Sequence, residues 1–185
     1  MNAQVQDIEK SRDELHHLIG ELTHQMKGQF QEGFQKIGAY FSSIFRELFG
    51  GGTASLSLSD PENPLTSGIE IQVQPPGKIV AHIEALSGGE KSLVAIALYF
   101  SIMKVNPPPF CILDEIEAAL DDVNVDRFAA YLRRMNAQTQ FIVITHRRGS
   151  MEEADMLYGV TMQEEGISKV LKLHTNEIEK ELNVS

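Results

Sequence analysis

Two short apolar runs, Phe-Cys-Ile-Leu at 110–113 and Phe-Ile-Val-Ile at 141–144, each give way abruptly to polar residues and flank a helix-type stretch at about 123–135. Strands apolar on both faces, separated by a helix, form a right-handed βαβ unit in a parallel sheet. Ligands of such sheets bind at the carboxyl ends of the strands. The residues that come after each run, Asp114-Glu115 and Thr145-His146, therefore stand at the ligand-binding edge.

An acid pair at that edge has two readings. Asp114 can hold a magnesium ion while Glu115 polarises a water, or both acids simply start a loop and cap the next element. His146 likewise either reaches a terminal phosphate or an attacking water, or is a structural residue at a strand end. Upstream, Leu86-Ser87-Gly88-Gly89-Glu90 opens the longest apolar stretch of the chain. Ser87 with Glu90 satisfies a capping box that any helix can use. Two glycines in a first helical turn cost about 1 kcal/mol each relative to Ala and add nothing to a cap. They make sense where another group approaches the backbone, and free N–H groups at a helix start suit an anion.

Towards the N-terminus, Val5, Ile8, Leu15, Ile19, Leu22 and Met26, with Arg12 in the one polar slot, have the 3-4 spacing of a coiled-coil seam. The spacing slips to 4-4 through Phe30 and Phe34, then resumes through Ile37, Phe41, Ile44 and Leu48, as for a helix passing from an arm into a globular core. For 30–48 an ordinary amphipathic core helix fits equally well. Gly50-Gly51-Gly52 ends the helix. Alternating runs at 53–59 and 69–73 flank a turn-rich 60–68 and predict two neighbouring strands with one buried face. A third short strand is predicted at 78–83, a long helix at 87–105, and a closing hairpin at 158–173 about Glu164-Glu165-Gly166.

Composition excludes several classes. One cysteine, Cys111, rules out an intrachain disulfide, suits a reducing cytoplasmic compartment, and is best read as a small buried hydrophobe. No apolar run approaches the roughly 20 residues that cross a bilayer. A net charge of −10 argues against this piece alone holding nucleic acid strongly. Arg133, Arg134, Arg147 and Arg148 are the candidates for a local basic patch, with solvated surface arginines as the simpler account. His16-His17 reads as exposed arm side chains rather than a metal site.

Together these pieces resemble the ABC ATPase family. Ser87, Gly88, Gly89 and Glu90 look like its signature motif, the run ending in Asp114 and Glu115 like Walker B, Ala119-Leu120-Asp121 like the D-loop, and Thr145-His146 like the switch-histidine segment. Within that superfamily, Asp-Glu-Ile-Glu-Ala-Ala-Leu-Asp-Asp at 114–122 and a signature ending in Glu are similar to the SMC (structural maintenance of chromosomes) proteins. So are Leu48-Phe49-Gly50-Gly51-Gly52, Gln74-Pro75-Pro76-Gly77-Lys78 and the segment 145–152; the histidine resembles the bacterial or archaeal type. The resemblance runs from about Phe34 to Leu173, and the N-terminal helix fits the stub of a returning coiled-coil arm.

That resemblance implies an α/β fold: the C-terminal lobe of an ABC-type ATPase head, with a parallel βαβ core, flanking β-hairpins and a coiled-coil stub, divided as arm 1–33 and lobe 34–185. It implies ATP and Mg2+ as cofactors, Glu115 and His146 as catalytic residues, and Asp114 at the metal. Leu86, Ser87, Gly88, Gly89, Glu90 and Asp121 would bind nucleotide, with the Ser87–Glu90 helix contacting the one held by a second head. No Gly-x-x-x-x-Gly-Lys-Ser/Thr loop occurs, and Lys91-Ser92 lacks the glycine spacing of one. In SMC proteins that loop belongs to the N-terminal end of the same polypeptide, so the chain reads as half a head. The implied partners are that N-terminal lobe, a second head in a homodimer, the C-terminal winged-helix domain of a kleisin, and DNA through the full complex. No membrane is implied, and the implied location is the cytoplasm at the nucleoid. A coiled-coil DNA-repair ATPase, a transporter ATPase subunit and a docking platform without turnover are the competing readings.

Overall fold

The computed structural model describes residues 2–78, 83–164 and 166–174. Its first element, α1 (Asn2–Phe49), is one unbroken helix of 48 residues, about 70 Å long at 1.5 Å per residue. The stripe Val5, Ile8, Leu15, Ile19, Leu22 and Met26 is exposed throughout. Burial sets in along the second half, and Phe41, Ile44, Phe45, Leu48 and Phe49 enter the core. The change of face tracks the register slip: Phe30 and Phe34 stack at 5.9 Å, Phe45 and Phe49 at 4.1 Å.

All three glycines after α1 have positive φ: 69° at Gly50, 143° at Gly51 and 82° at Gly52. The Gly51 N–H returns to the Arg46 carbonyl at 2.8 Å, and the Arg127 guanidinium donates to the Phe49 carbonyl at 3.0 Å, so two orphan carbonyls of the helix end are satisfied. A Cβ on Gly52 would overlap the Gln74 carbonyl oxygen. The chain can thus turn directly into β1 (Thr53–Leu58), which pairs antiparallel with β2 (Ile69–Gln74). Ala54 and Val73 are buried beneath this pair, with Leu56 and Ile71 partly buried. Of the third strand expected at 78–83, the interior lies outside the described residues. Ile83–Ala85 is a 3-10 turn.

The helix α2 (Gly88–Val105), capped by Ser87, packs along α1 and buries Leu93, Val94, Ile96, Ala97, Phe100 and Met103. Then come β3 (Phe110–Asp114), α3 (Asp122–Met135) and β4 (Gln140–Ile144). β3 and β4 pair in parallel with Asp114 opposite Ile144, which is the expected strand–helix–strand unit. Phe100 sits at its centre, stacked on Phe128 and Tyr131 at 6.0 and 5.3 Å and edge-on to Phe141 at 6.3 Å. A short helix, α4 (Arg148–Glu152), succeeds β4 and lies against α3, and a closing hairpin joins β5 (Met156–Glu164) to β6 (Ile167–His174).

The parallel strands differ from expectation in their cover. Both faces are apolar in sequence, yet only Cys111 and Leu113 of β3 are buried, while Phe110 and Ile112 stay 55% and 58% exposed. On β4, Ile142 and Ile144 are likewise exposed. The helices cover one face of this two-stranded sheet and leave the other open. The helix α4 has no counterpart among the sequence expectations; five residues with one apolar side chain, Met151, give no periodicity to read.

Gly52→Ala is expected to cost at least ~1 kcal/mol, since an L side chain at positive φ is strained by roughly that amount and the overlap with Gln74 adds to it. A fall in the urea midpoint at unchanged slope measures it.

Candidate functional site

The parallel ladder carries the site. Beyond the last paired residues, the Glu115 N–H donates to the Ile144 carbonyl at 2.9 Å, so β3 and β4 stay in step as they leave the sheet. Glu115 takes φ 48°, the one positive value at a non-glycine among the described residues. That strained conformation, which costs on the order of 1–2 kcal/mol, brings the Glu115 Oε1 within 3.4 Å of the His146 Nδ1. Both side chains are more than half exposed. Asp114 ends β3 with its side chain exposed to solvent. Among the described residues no group of three or more ligating side chains gathers. A lone strand-end carboxylate suits Mg2+, which keeps water and phosphate ligands and takes one or two carboxylates from protein.

After Glu115 the chain folds through two tight turns, the Ala118 N–H to the Glu115 carbonyl and the Leu120 N–H to the Glu117 carbonyl. Asp121 then N-caps α3, its Oδ1 accepting from the Asn124 N–H at 2.9 Å. That carboxylate therefore has a structural duty beside any contact with nucleotide.

At the head of α2 the capping box is complete. The Ser87 Oγ accepts from the Glu90 N–H at 3.3 Å, and the Glu90 carboxylate accepts from the Ser87 N–H at 2.9 Å. The Ser87 hydroxyl also donates to Glu90 at 2.9 Å, and Lys78 reaches the same carboxylate at 2.7 Å. The Lys78 ammonium and the Ser87 backbone hold the Glu90 carboxyl down at about 2. Leu86, just before the cap, is buried and serves the core. The two glycines differ. A Cβ on Gly89 would lie 2.8 Å from the Ala119 carbonyl oxygen, so this glycine lets α2 start against the 115–121 loop. A Cβ on Gly88 would meet nothing within 4 Å, and its exposed backbone leaves room for a group from outside.

The structure thus brings Glu115 together with His146, and Gly89 together with Ala119. Three features escape a reading of the sequence. Lys78 supports the α2 cap; Arg147 donates to the Leu120 carbonyl at 3.0 Å and to Asp122 at 2.9 Å; and Ser150 donates to the Oε1 of Glu117 at 3.1 Å, with Glu117 fully buried. Only the last leaves a signal, an acid inside an otherwise apolar Ile-Glu-Ala-Ala-Leu stretch. The four arginines considered for a basic patch all have acidic partners: Arg133 with Glu153, Arg134 with Glu47, Arg147 with Asp122, Arg148 with Glu152. His17 lies 3.7 Å from Glu21 on the exposed arm.

The Glu90 carboxyl is 4.5 when unperturbed and about 2 in the folded chain. A depressed carboxylate stabilises fully above its unfolded value and loses that contribution as the pH falls toward its folded one. The melting-temperature gap between wild type and Glu90→Gln is therefore expected to be widest near neutral pH. It should close progressively below pH 4.5; a gap that stays constant from neutral pH down to about 2 contradicts this.

Comparison with known proteins supplies the family. Residues 4–169 match the family described as RecF/RecN/SMC N terminal domain. The chain is 53% identical over 177 residues, 96% of its length, to the chromosome partition protein Smc of Bacillus subtilis (strain 168), and 54% identical over 173 residues, 94% of its length, to that of Clostridium kluyveri (strain NBRC 12016). It spans 15% and 14% of the length of those relatives. Among solved structures it matches an Smc head domain with an extended coiled coil from Pyrococcus furiosus, bound to the C-terminal domain of ScpA. There the TM-score is 0.83 and the identity 41%, over 98% of this chain and 46% of that one. A second, described under ATP-driven dimerization and DNA-stimulated activation of SMC ATPases, has a TM-score of 0.74 and 45% identity over 85% of this chain and 95% of the other. With a matching family over most of its length and half its residues identical to chromosome partition proteins, the chain belongs to the SMC family, and its fold is that of SMC ATPase head domains.

Proposed function

We propose that this chain is the C-terminal lobe of an SMC head that binds and hydrolyses ATP to drive chromosome condensation and segregation. The observation that carries the reading is the Glu115–His146 contact, with two polar side chains meeting at the carboxyl edge of a parallel strand pair. Asp114 beside them would hold Mg2+, which when bound neutralises charge on the phosphates. Glu115 orients the attacking water and takes up its proton, and its exposure leaves the carboxylate open to that water. His146 steadies the terminal phosphate and, through its Nδ1, the Glu115 side chain. The start of α2, with Ser87, the open Gly88 and the free N–H groups of its first turn, faces nucleotide held by a second head, and Asp121 lies beside that junction.

The chain's own surfaces support a shared head. The open apolar face of β3 and β4 would be covered by an N-terminal lobe carrying the phosphate loop that is absent from this sequence. The exposed stripe on residues 1–33 would pair with the other strand of a coiled-coil arm, leaving 34–185 as the lobe. A kleisin's winged-helix domain would dock near the terminal hairpin, where Tyr158, Val160, Val170 and Leu171 are exposed. DNA would be engaged by the assembled complex, in the cytoplasm at the nucleoid. No helix among the described residues is long and apolar enough to cross a membrane.

ATP hydrolysis by this chain alone, and after mixing with a separately expressed N-terminal lobe, tests the reading. Silence alone, activity on mixing, and a loss of about a hundredfold or more with Glu115→Gln are expected, the size of loss typical for a general base. Activity from the chain alone would sink the half-head reading. A verified two-lobe complex without activity would make this chain a docking platform instead.

A further inference from the structure

The loop after Glu115 and the loop that carries His146 follow different strands of the strand–helix–strand unit, leave it at the same edge, and are joined at several points. At one end the Glu115 N–H holds the Ile144 carbonyl. At the other, the Arg147 guanidinium, only 23% exposed, donates to the Leu120 carbonyl and to Asp122. Between them, Ser150 donates to the fully buried Glu117. A Cβ on Gly149 would collide with Asp126, so the His146 loop also meets α3 in close contact. His146 lies inside this frame: the Thr145 hydroxyl accepts from the Arg147 N–H at 2.9 Å, closing a tight turn around the histidine.

Arg147 sits where a cation is electrostatically unwelcome. The first turn of α3 is the positive end of a helix dipole, and the Arg147 guanidinium lies against it at Leu120 and Asp122. Asp121 and Asp122 offset that cost. A surface residue with no positional task would have no reason to stand there. Glu117 repeats the point, because a carboxylate buried with one oxygen unpartnered among the described residues is costly and is tolerated only where the geometry around it is fixed.

We infer that Arg147, helped by Ser150 and Glu117, is a positioning residue that locks the 115–121 loop to the His146 turn and so holds Glu115 and His146 in register. The inference rests on the ATPase reading above and concerns residues to which that reading gives no role. Arg147 donates to the Leu120 carbonyl and Asp122, and in the reading above the phosphate loop that captures ATP lies on the N-terminal lobe, so loss of Arg147 should slow turnover and leave ATP capture alone.

The test uses steady-state ATP hydrolysis by the full-length protein, with melting temperature measured in parallel. Arg147→Ala is expected to lower kcat about tenfold or more while leaving KM within about twofold, since a displacement of an ångström at reacting groups costs up to about a hundredfold. Arg147→Lys should recover part of the loss, because one nitrogen, Nη2, holds both acceptors, and an ammonium keeps the charge and the donors but not the planar group that places them. Asp122→Ala, at a fully exposed side chain, should lower kcat less and add nothing in the Arg147→Ala background. Unchanged kcat in Arg147→Ala, or losses from Arg147→Ala and Asp122→Ala that simply multiply, overturns the inference. If Arg147→Ala fails to fold, Asp122→Ala and Arg147→Lys still decide it: both at wild-type kcat overturns it, and a lower kcat at unchanged KM supports it. Glu115→Gln in the same assay separates the two readings. If it keeps wild-type turnover the ATPase roles fail; if it abolishes turnover while Arg147→Ala does not slow it, only the positioning inference fails.

Discussion

Everything at the candidate site hangs on the parallel pairing of β3 with β4. In a parallel pair both strands end at the same edge, so Asp114 and Ile144 leave the sheet side by side and the residues after them are neighbours without any contact of their own. One further rung, the Glu115 N–H to the Ile144 carbonyl, carries that alignment past the sheet. An antiparallel pair would send the two polar ends to opposite edges, and Glu115 and His146 would never meet. The strained φ at Glu115 is tolerated because the ladder behind it is fixed on one face by the aromatic cluster about Phe100.

The helix α3 carries the same alignment across the molecule. Its first turn is held by the Asp121 cap and by Arg147. Further along, Arg127 donates to the last carbonyl of α1, and Arg134 pairs with Glu47 on the same helix while lying over the Tyr131 ring. One helix therefore touches the C-terminal end of α1 at one place and the loop after Glu115 at another. Buried Phe128, Tyr131 and Val125 make it a rigid element, since packed interiors transmit displacement rather than absorb it.

Much of this is legible in the sequence because it depends on periodicity. The 3-4 spacing marks α1, alternation marks β1 and β2, and the short apolar runs bounded by acids and by Thr-His mark the parallel pair. The nearness of Glu115 to His146 is a matter of topology, as both leave the same edge. Contacts between residues far apart in the chain are the part that escapes. Lys78 with Glu90, Arg147 with Leu120 and Arg127 with Phe49 join residues whose types say nothing about their partners. Gly89 does admit a close approach, as two glycines in a first turn suggest, but the approaching group is the Ala119 carbonyl of this same chain. Strands apolar on both faces are indeed strands here, yet one face is bare, because sequence registers what a face is made for and not what lies on it within one chain.

That last distinction explains the two largest apolar surfaces. The open face of the β3–β4 sheet presents Phe110, Ile112, Ile142 and Ile144, and the arm presents a stripe from Val5 to Met26. Isolated exposed apolar side chains are ordinary on any protein; contiguous ones arranged on a sheet face or at heptad spacing are surfaces built to be covered. The two have different geometries. A flat strand face beside the site calls for further sheet or helix layered over it, while a narrow helical stripe calls for another helix alongside. The acidic edge at Asp114 and Glu115 borders the first of these surfaces, so whatever covers the sheet also forms the wall of the site.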